Sequence, residues 1–254
     1  MISLNTQLRE KYGIGEQCPQ IQPVEMSDYE RGYRAYMHHT MLNPIPVKQT
    51  QNSNREFWFT DIEKAKGTIW NYLKSEIAKT GANPRFTGNF KTVMQGLTLY
   101  FCGSPDSPYD LKKGLFIHGD TEVGKSTIFR ALQQFSQLHE SIKFDIVEVP
   151  ELIADLKTNV GDPLTPTYYG IKCFDDIAIN SPYVNDYGNE MNVLTDIIHR
   201  KYNQYIKSGK IAHFISNYPI DMLPMVNGGK GRAWFDQTST RRLKNICTEI
   251  ELEK

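Results

Sequence analysis

Gly119-Asp120-Thr121-Glu122-Val123-Gly124-Lys125-Ser126 fits the pattern G-x-x-x-x-G-K-[ST], and Thr127 follows it. Two glycines at this spacing let the backbone curl until successive N–H groups point inward, a shape suited to a chain of phosphates. A helix that starts at such a loop adds its positive end. Lys125 brings a cation to the β and γ phosphates, and Ser126 offers a hydroxyl to magnesium. Gly119 to Thr127 are therefore the expected nucleotide-binding residues, with ATP and Mg2+ as the expected cofactors. A chance glycine turn would match the pattern equally well. The context argues against that, because apolar residues 115–118 read as a strand before the loop and Ile128, Leu132 and Phe135 as a helix after it.

Three further groups could complete the chemistry. Asp175 and Asp176 end the apolar run 171–174, and a carboxylate at the C-terminal end of a buried strand lies beside the phosphate loop in open α/β sheets. Asp175 would hold magnesium and Asp176 would polarise the attacking water; the competing reading is an acidic turn. Asn217 leaves the apolar run 211–216. Its amide could orient water or touch the γ-phosphate, or simply cap the turn before Pro219. Arg241 and Arg242 precede the last apolar run. Either could stabilise charge on the γ-phosphate of a neighbouring subunit, or serve as a surface ion-pair donor. The expected catalytic set is Lys125, Asp176, Asn217 and Arg242, with Ser126 and Asp175 as metal ligands.

These groups need a frame to hold them. The chain has 254 residues, 39% apolar and 23% charged, with zero formal net charge. That excludes a global electrostatic attraction to nucleic acid or membrane but leaves room for a local basic patch. Cys18, Cys102, Cys173 and Cys247 are scattered, which speaks against a zinc site or a disulfide framework. The absence of a signal-like or spanning apolar stretch gives a cytoplasmic expectation with no membrane partner. Residues 1–85 are polar and interrupted by prolines. Within them, Thr60 and Glu63 suggest a capping box ahead of Ile62, Ala65, Ile69, Leu73 and Ile77 at helical spacing, with Gly81 as a stop. This region is expected to be a helical extension or a partner-docking module. Residues 86–254 alternate helices with short strands, near 115–118, 144–149, 171–174, 211–216 and 246–252, and a long helix marked by Met191, Leu194, Ile198, Tyr202 and Tyr205. Strands separated by helices imply a parallel sheet covered on both faces. The motifs outside this scheme read as structural. His38 and His39 have no partner ligands at useful spacing, Trp58 and Trp70 suit core or docking roles better than stacking on bases, and 227–232 reads as a mobile glycine-rich loop that could also approach phosphates of ATP or DNA.

From 88 to 252 the chain resembles the DnaC/IstB-like branch of the AAA+ ATPases, which holds helicase loaders and transposition helper ATPases. The resemblance rests on Lys113–Gly119 leading into the loop, on Asp175-Asp176, on Tyr187-Gly188-Asn189-Glu190 with Asn192-Val193, on Arg200-Lys201-Tyr202, on Ser216-Asn217 and on Arg242-Leu243. It implies a five-stranded P-loop core of strand order 5-1-4-3-2 flanked by helices, with no C-terminal lid. It also implies a homo-oligomer with nucleotide at the subunit interface, Asp175 on magnesium, Asp176 on water, Asn217 as γ-phosphate sensor, and Arg242 as the finger with Arg241 as the alternative. Implied partners are a replicative helicase or a transposase, with single-stranded DNA among those it allows. The competing expectations are an autonomous DNA-dependent motor and a small-molecule kinase using the same loop.

Overall fold

The structure is a computed structural model, and it describes residues 56–80, 88–158, 163–186, 189–227 and 232–253. All of these belong to one compact unit, residues 50–254. His38 and His39, Gly81 and residues 228–231 lie outside the described residues.

Five parallel strands form the central sheet: β1 (Gly114–His118), β2 (Phe144–Glu148), β3 (Ile171–Asp175), β6 (His213–Ser216) and β7 (Cys247–Glu251). Their order is β2-β3-β6-β1-β7. Two more strands, β4 (Tyr183–Asp186) and β5 (Asn189–Asn192), pair antiparallel as a separate ribbon. That ribbon is an addition to the expected topology, and it shifts the numbering. Counted without it, the five sheet strands read 5-1-4-3-2 from the β7 edge. β1 and β6 lie inside the sheet and every residue in them is buried, whereas the edge strands β2 and β7 are partly exposed. This is why the central strands are continuous apolar runs.

Helices cover both faces. On one lie α1 (Ile62–Thr80), α2 (Phe90–Cys102) and α3 (Lys125–Ser136), whose Ala65, Ile69, Leu73, Leu97, Phe101, Phe129 and Leu132 share a core with Leu115 and Ile117. On the other lie α4 (Val149–Thr158), α6 (Val193–Ser208) and α7 (Gln237–Ile246), packed on Phe116, Phe174 and Phe214. Leu115 and Ile117 face one way and Phe116 the other because side chains alternate along a strand. The short α5 (Thr165–Tyr168) leads into β3, and a 3-10 turn at Ile220–Met225 follows β6.

Several local expectations shift. Asp61, not Thr60, caps α1, its carboxylate accepting from the Lys64 N–H at 3.0 Å. Met191 lies in β5, and α6 begins two residues later with Asn192 as cap, its side chain accepting from Thr195 N–H. The final strand is preceded by α7, capped by Asp236. Trp58 is structural, its indole N–H donating to Phe101 O at 2.7 Å and its ring lying against Phe135 and His139.

Candidate functional site

Parallel strands place their C-terminal ends together, and the chemistry-bearing residues follow from that. β1 delivers Gly119, β3 delivers Asp175 and Asp176, β6 delivers Asn217, and α3 starts at Lys125. Within the loop the two glycines are required for different reasons. Gly119 has φ 150, and a Cβ there would stand 2.2 Å from the Leu252 carbonyl oxygen, so the end of β7 leaves no room for a side chain. Gly124 has open space around it but φ 91, a conformation only glycine adopts without strain. Glu122 accepts a left-handed φ of 69 without being glycine, a local cost of the kind that persists where the surroundings fix the backbone. No side chain caps the N-terminus of α3 and no acidic residue lies in its first turn. Its leading N–H groups and positive end are thus left for an anion.

The Lys125 ammonium is buried at the centre of the loop. It donates to Gly119 O and Asp120 O, each at 2.8 Å, and to Asn217 Oδ1 at 2.9 Å. Burial lowers its pKa, while Asp176, Asp175 and Asp120 act to raise it. Asn217 is therefore tied directly to the phosphate-loop lysine. Ser126 Oγ donates to Asp175 Oδ1 at 3.0 Å. Asp175 is only 1% exposed, and its other oxygen, Oδ2, is buried with no hydrogen-bond partner. Burial pushes its carboxyl up to about 6. Asp176 and Glu148 add to that, and the Ser126 hydroxyl and Arg130 oppose it. A buried carboxylate with one orphaned oxygen and a serine hydroxyl on the other fits a divalent cation, which would supply the missing counter-charge. Asp176 sits just beyond the strand at φ 59, half-buried, its pKa raised by burial and by Glu148 and lowered by Lys125 and Arg130. The turn is anchored by the Ile177 N–H donating to Ile215 O at 3.2 Å.

One pair was not singled out from the sequence. Glu148 ends β2 in register with Asp175, and Arg130 lies one turn of α3 beyond Ser126; Arg130 Nη2 meets Glu148 Oε1 at 2.8 Å. Both charges are felt by the two aspartates. The signal available was the i, i+4 spacing of Ser126 and Arg130, which puts both on one helix face.

Arg242 is not brought to this site. Its guanidinium lies 5.1 Å from the Tyr202 ring centre on α6, with Nη1 buried and without a hydrogen-bond partner, while the adjacent Arg241 is exposed. α7 runs into the N-terminal end of β7, whose Cys247 pairs with Gly114 at the start of β1. Arg242 therefore approaches the pole of the sheet opposite its own phosphate loop.

Comparison with family models and with curated proteins returns no match. Among solved structures, the chain is similar to a DnaC helicase loader (15% identity, 72% of this chain and 98% of that one, TM-score 0.49). It is also similar to DnaI (19%, 68% and 86%, TM-score 0.48). A third is a candidate primosome component of Streptococcus pyogenes serotype M3 (20%, 66% and 81%, TM-score 0.48). At this level of likeness no residue role is carried over from them.

Proposed function

We propose that this chain is an ATP-binding and ATP-hydrolysing switch that assembles as a homo-oligomer with nucleotide between subunits. It would act on a replicative helicase or a transposase, in DNA replication or transposition, with single-stranded DNA as a further partner. The observation that carries the nucleotide reading is the Lys125 ammonium, sunk in a ring of oxygen acceptors that includes Asn217 Oδ1. A phosphate oxygen offers the same ammonium a charged acceptor in exchange for these neutral ones, and a hydrogen bond to a charged group is the stronger. The Gly119–Thr127 backbone would cradle the phosphates, and Ser126 and Asp175 would hold Mg2+. The ion would neutralise phosphate charge when bound. Asp176 would take a proton from water, and Asn217 would orient that water or register the γ-phosphate. The reading as a helicase-loader or transposition-helper type rests on the ordered set of residues from Lys113 to Leu243 that resembles that branch. Of the two arginines, Arg241 is the exposed one; Arg242 would serve in trans only after leaving Tyr202.

The test separates binding from turnover. Asp176→Asn is expected to keep Mg·ATP affinity within about threefold and to lower turnover by roughly 10²–10⁴-fold. Phosphate release and equilibrium binding, measured on the same preparation, check it. Retained turnover in that variant would remove Asp176 as the base. Transfer of phosphate to a metabolite in place of water would favour a kinase.

A further inference from the structure

The oxygens that surround the Lys125 ammonium come from different strands. Gly119 O and Asp120 O belong to the loop after β1, and Asn217 Oδ1 to the turn after β6. A carboxylate on a third strand ties the two together. Glu249 lies on the edge strand β7, in register with Phe116 of β1. Side chains alternate along a strand, so Glu249 shares a face of the sheet with Phe116 and His118. Glu249 Oε1 accepts from the Ile220 N–H at 2.7 Å, and His118 Nε2 lies 3.4 Å from the same oxygen. His118 immediately precedes Gly119, and Ile220 follows Asn217 by three residues.

Beyond the end of β6, side chains hold the turn that carries Asn217. Tyr218 N–H donates to Ser216 Oγ at 2.9 Å. Pro219 has no N–H to give. Ile220 is fully buried, so its N–H needs an acceptor within the protein, and the Glu249 carboxylate supplies it. A hydrogen bond to a charged acceptor is the stronger kind. The contacts close a ring. Lys125 meets Gly119 O, His118 precedes Gly119 and meets Glu249, Glu249 meets Ile220, and the chain returns from Ile220 to Asn217 and Lys125. In a closed ring no member shifts alone. Glu249 thereby sets where the Asn217 amide stands against the phosphate loop. Its side chain is 32% exposed at the sheet edge, so substituting it opens no hole in the core.

We propose that Glu249 is a positioning residue for nucleotide turnover, holding the Asn217 amide in register with the phosphate loop through the Ile220 N–H and His118. The inference rests on the reading of Lys125 and Asn217 as ATP-handling groups, and it adds a residue that acts on nucleotide only through Asn217. Phosphate is gripped by Lys125 and by the backbone of the loop, so loss of Glu249 is felt in turnover and not in ATP affinity. The lever is a strong one, because misplacing a group by about 1 Å can lower turnover on the order of 10²-fold.

The experiment measures kcat, KM and Mg·ATP affinity for the full chain, Glu249→Met, Glu249→Gln, Asn217→Ala and the double variant Glu249→Met, Asn217→Ala. Glu249→Met keeps the length of the side chain and removes the acceptor. Its kcat is expected to fall about tenfold or more, with ATP affinity within about threefold of the parent. Glu249→Gln keeps an acceptor oxygen for the Ile220 N–H and is expected to recover most of that loss. The double variant is expected to turn over no more slowly than Asn217→Ala alone, whereas independent sites would multiply their losses. Retained ATP affinity also shows that the variants fold, and Glu249→Ala takes the place of Glu249→Met in the cycle should the latter unfold. A parent-like kcat in the variant without an acceptor, or multiplied losses in the double variant, would overturn the proposal alone. A parent chain that binds Mg·ATP without hydrolysing it would overturn the ATPase reading and this proposal with it.

Discussion

At the scale of single residues the chain holds two buried lysines in opposite ways. Lys125 is surrounded by oxygens and poised to exchange them. Lys201 has two long carbonyl contacts and lysine neighbours, and burial first, then Lys172 and Lys210, push it down to about 7. An unfolded lysine titrates near 10.4. Between about pH 7 and pH 10 the unfolded chain therefore holds more protons than the folded one, and stability rises with pH through that window. Below about pH 7 both states are protonated and the full penalty stands. Lys201→Met is expected to flatten this dependence and to raise stability at pH 6.5 by roughly 2–4 kcal/mol. Urea denaturation from pH 6.5 to 9 checks it, and an undiminished slope would show that Lys201 is not the group responsible. The phosphate-loop residues were legible from sequence because eight consecutive residues carry the whole pattern. The Lys125–Asn217 bond was not, because it joins residues 92 apart.

At the scale of elements, the site depends on β1 and β7 meeting closely. Gly119 lies against the Leu252 carbonyl, and the Leu252 N–H donates to His118 O at 2.7 Å. Gly119→Ala is expected to push these strand ends apart, costing about 2 kcal/mol or more and weakening ATP binding together with stability. Thermal unfolding and a nucleotide titration check it; parent-like values in both would mean that Leu252 yields without cost. The main strands were legible because buried parallel strands are continuous apolar runs. α7 was hidden because Gln237–Ile246 is polar apart from Leu243 and Ile246, so its apolar stripe has too few members to show a period. The β4–β5 ribbon was hidden for a related reason. Met191 falls three residues before Leu194 and mimics the helical spacing of α6, although it belongs to a strand. Thr60 and Asp61 are both good caps, and only the carboxylate contact with Lys64 N–H decides between them.

At the scale of the whole molecule, the sheet gathers the phosphate loop and the aspartates at the C-terminal ends of its strands. Arg241 stands exposed on α7. An ATP switch of the proposed kind requires nucleotide to bind the assembled state better than the free subunit, since equal affinity for both would shift nothing. Light scattering is expected to report a larger mass with Mg·ATP than without it. Arg241→Ala is expected to lower turnover while leaving affinity intact. A mass unaffected by nucleotide would count against the switch but not against the phosphate site. The site itself is tested most directly by calorimetric titration of Mg·ATP into the parent chain and into Lys125→Ala. Saturable binding by the parent at micromolar to sub-millimolar concentration, lost in the variant with folding preserved, is the expected result. No measurable affinity in the parent, or equal affinity in the two proteins, would contradict the account.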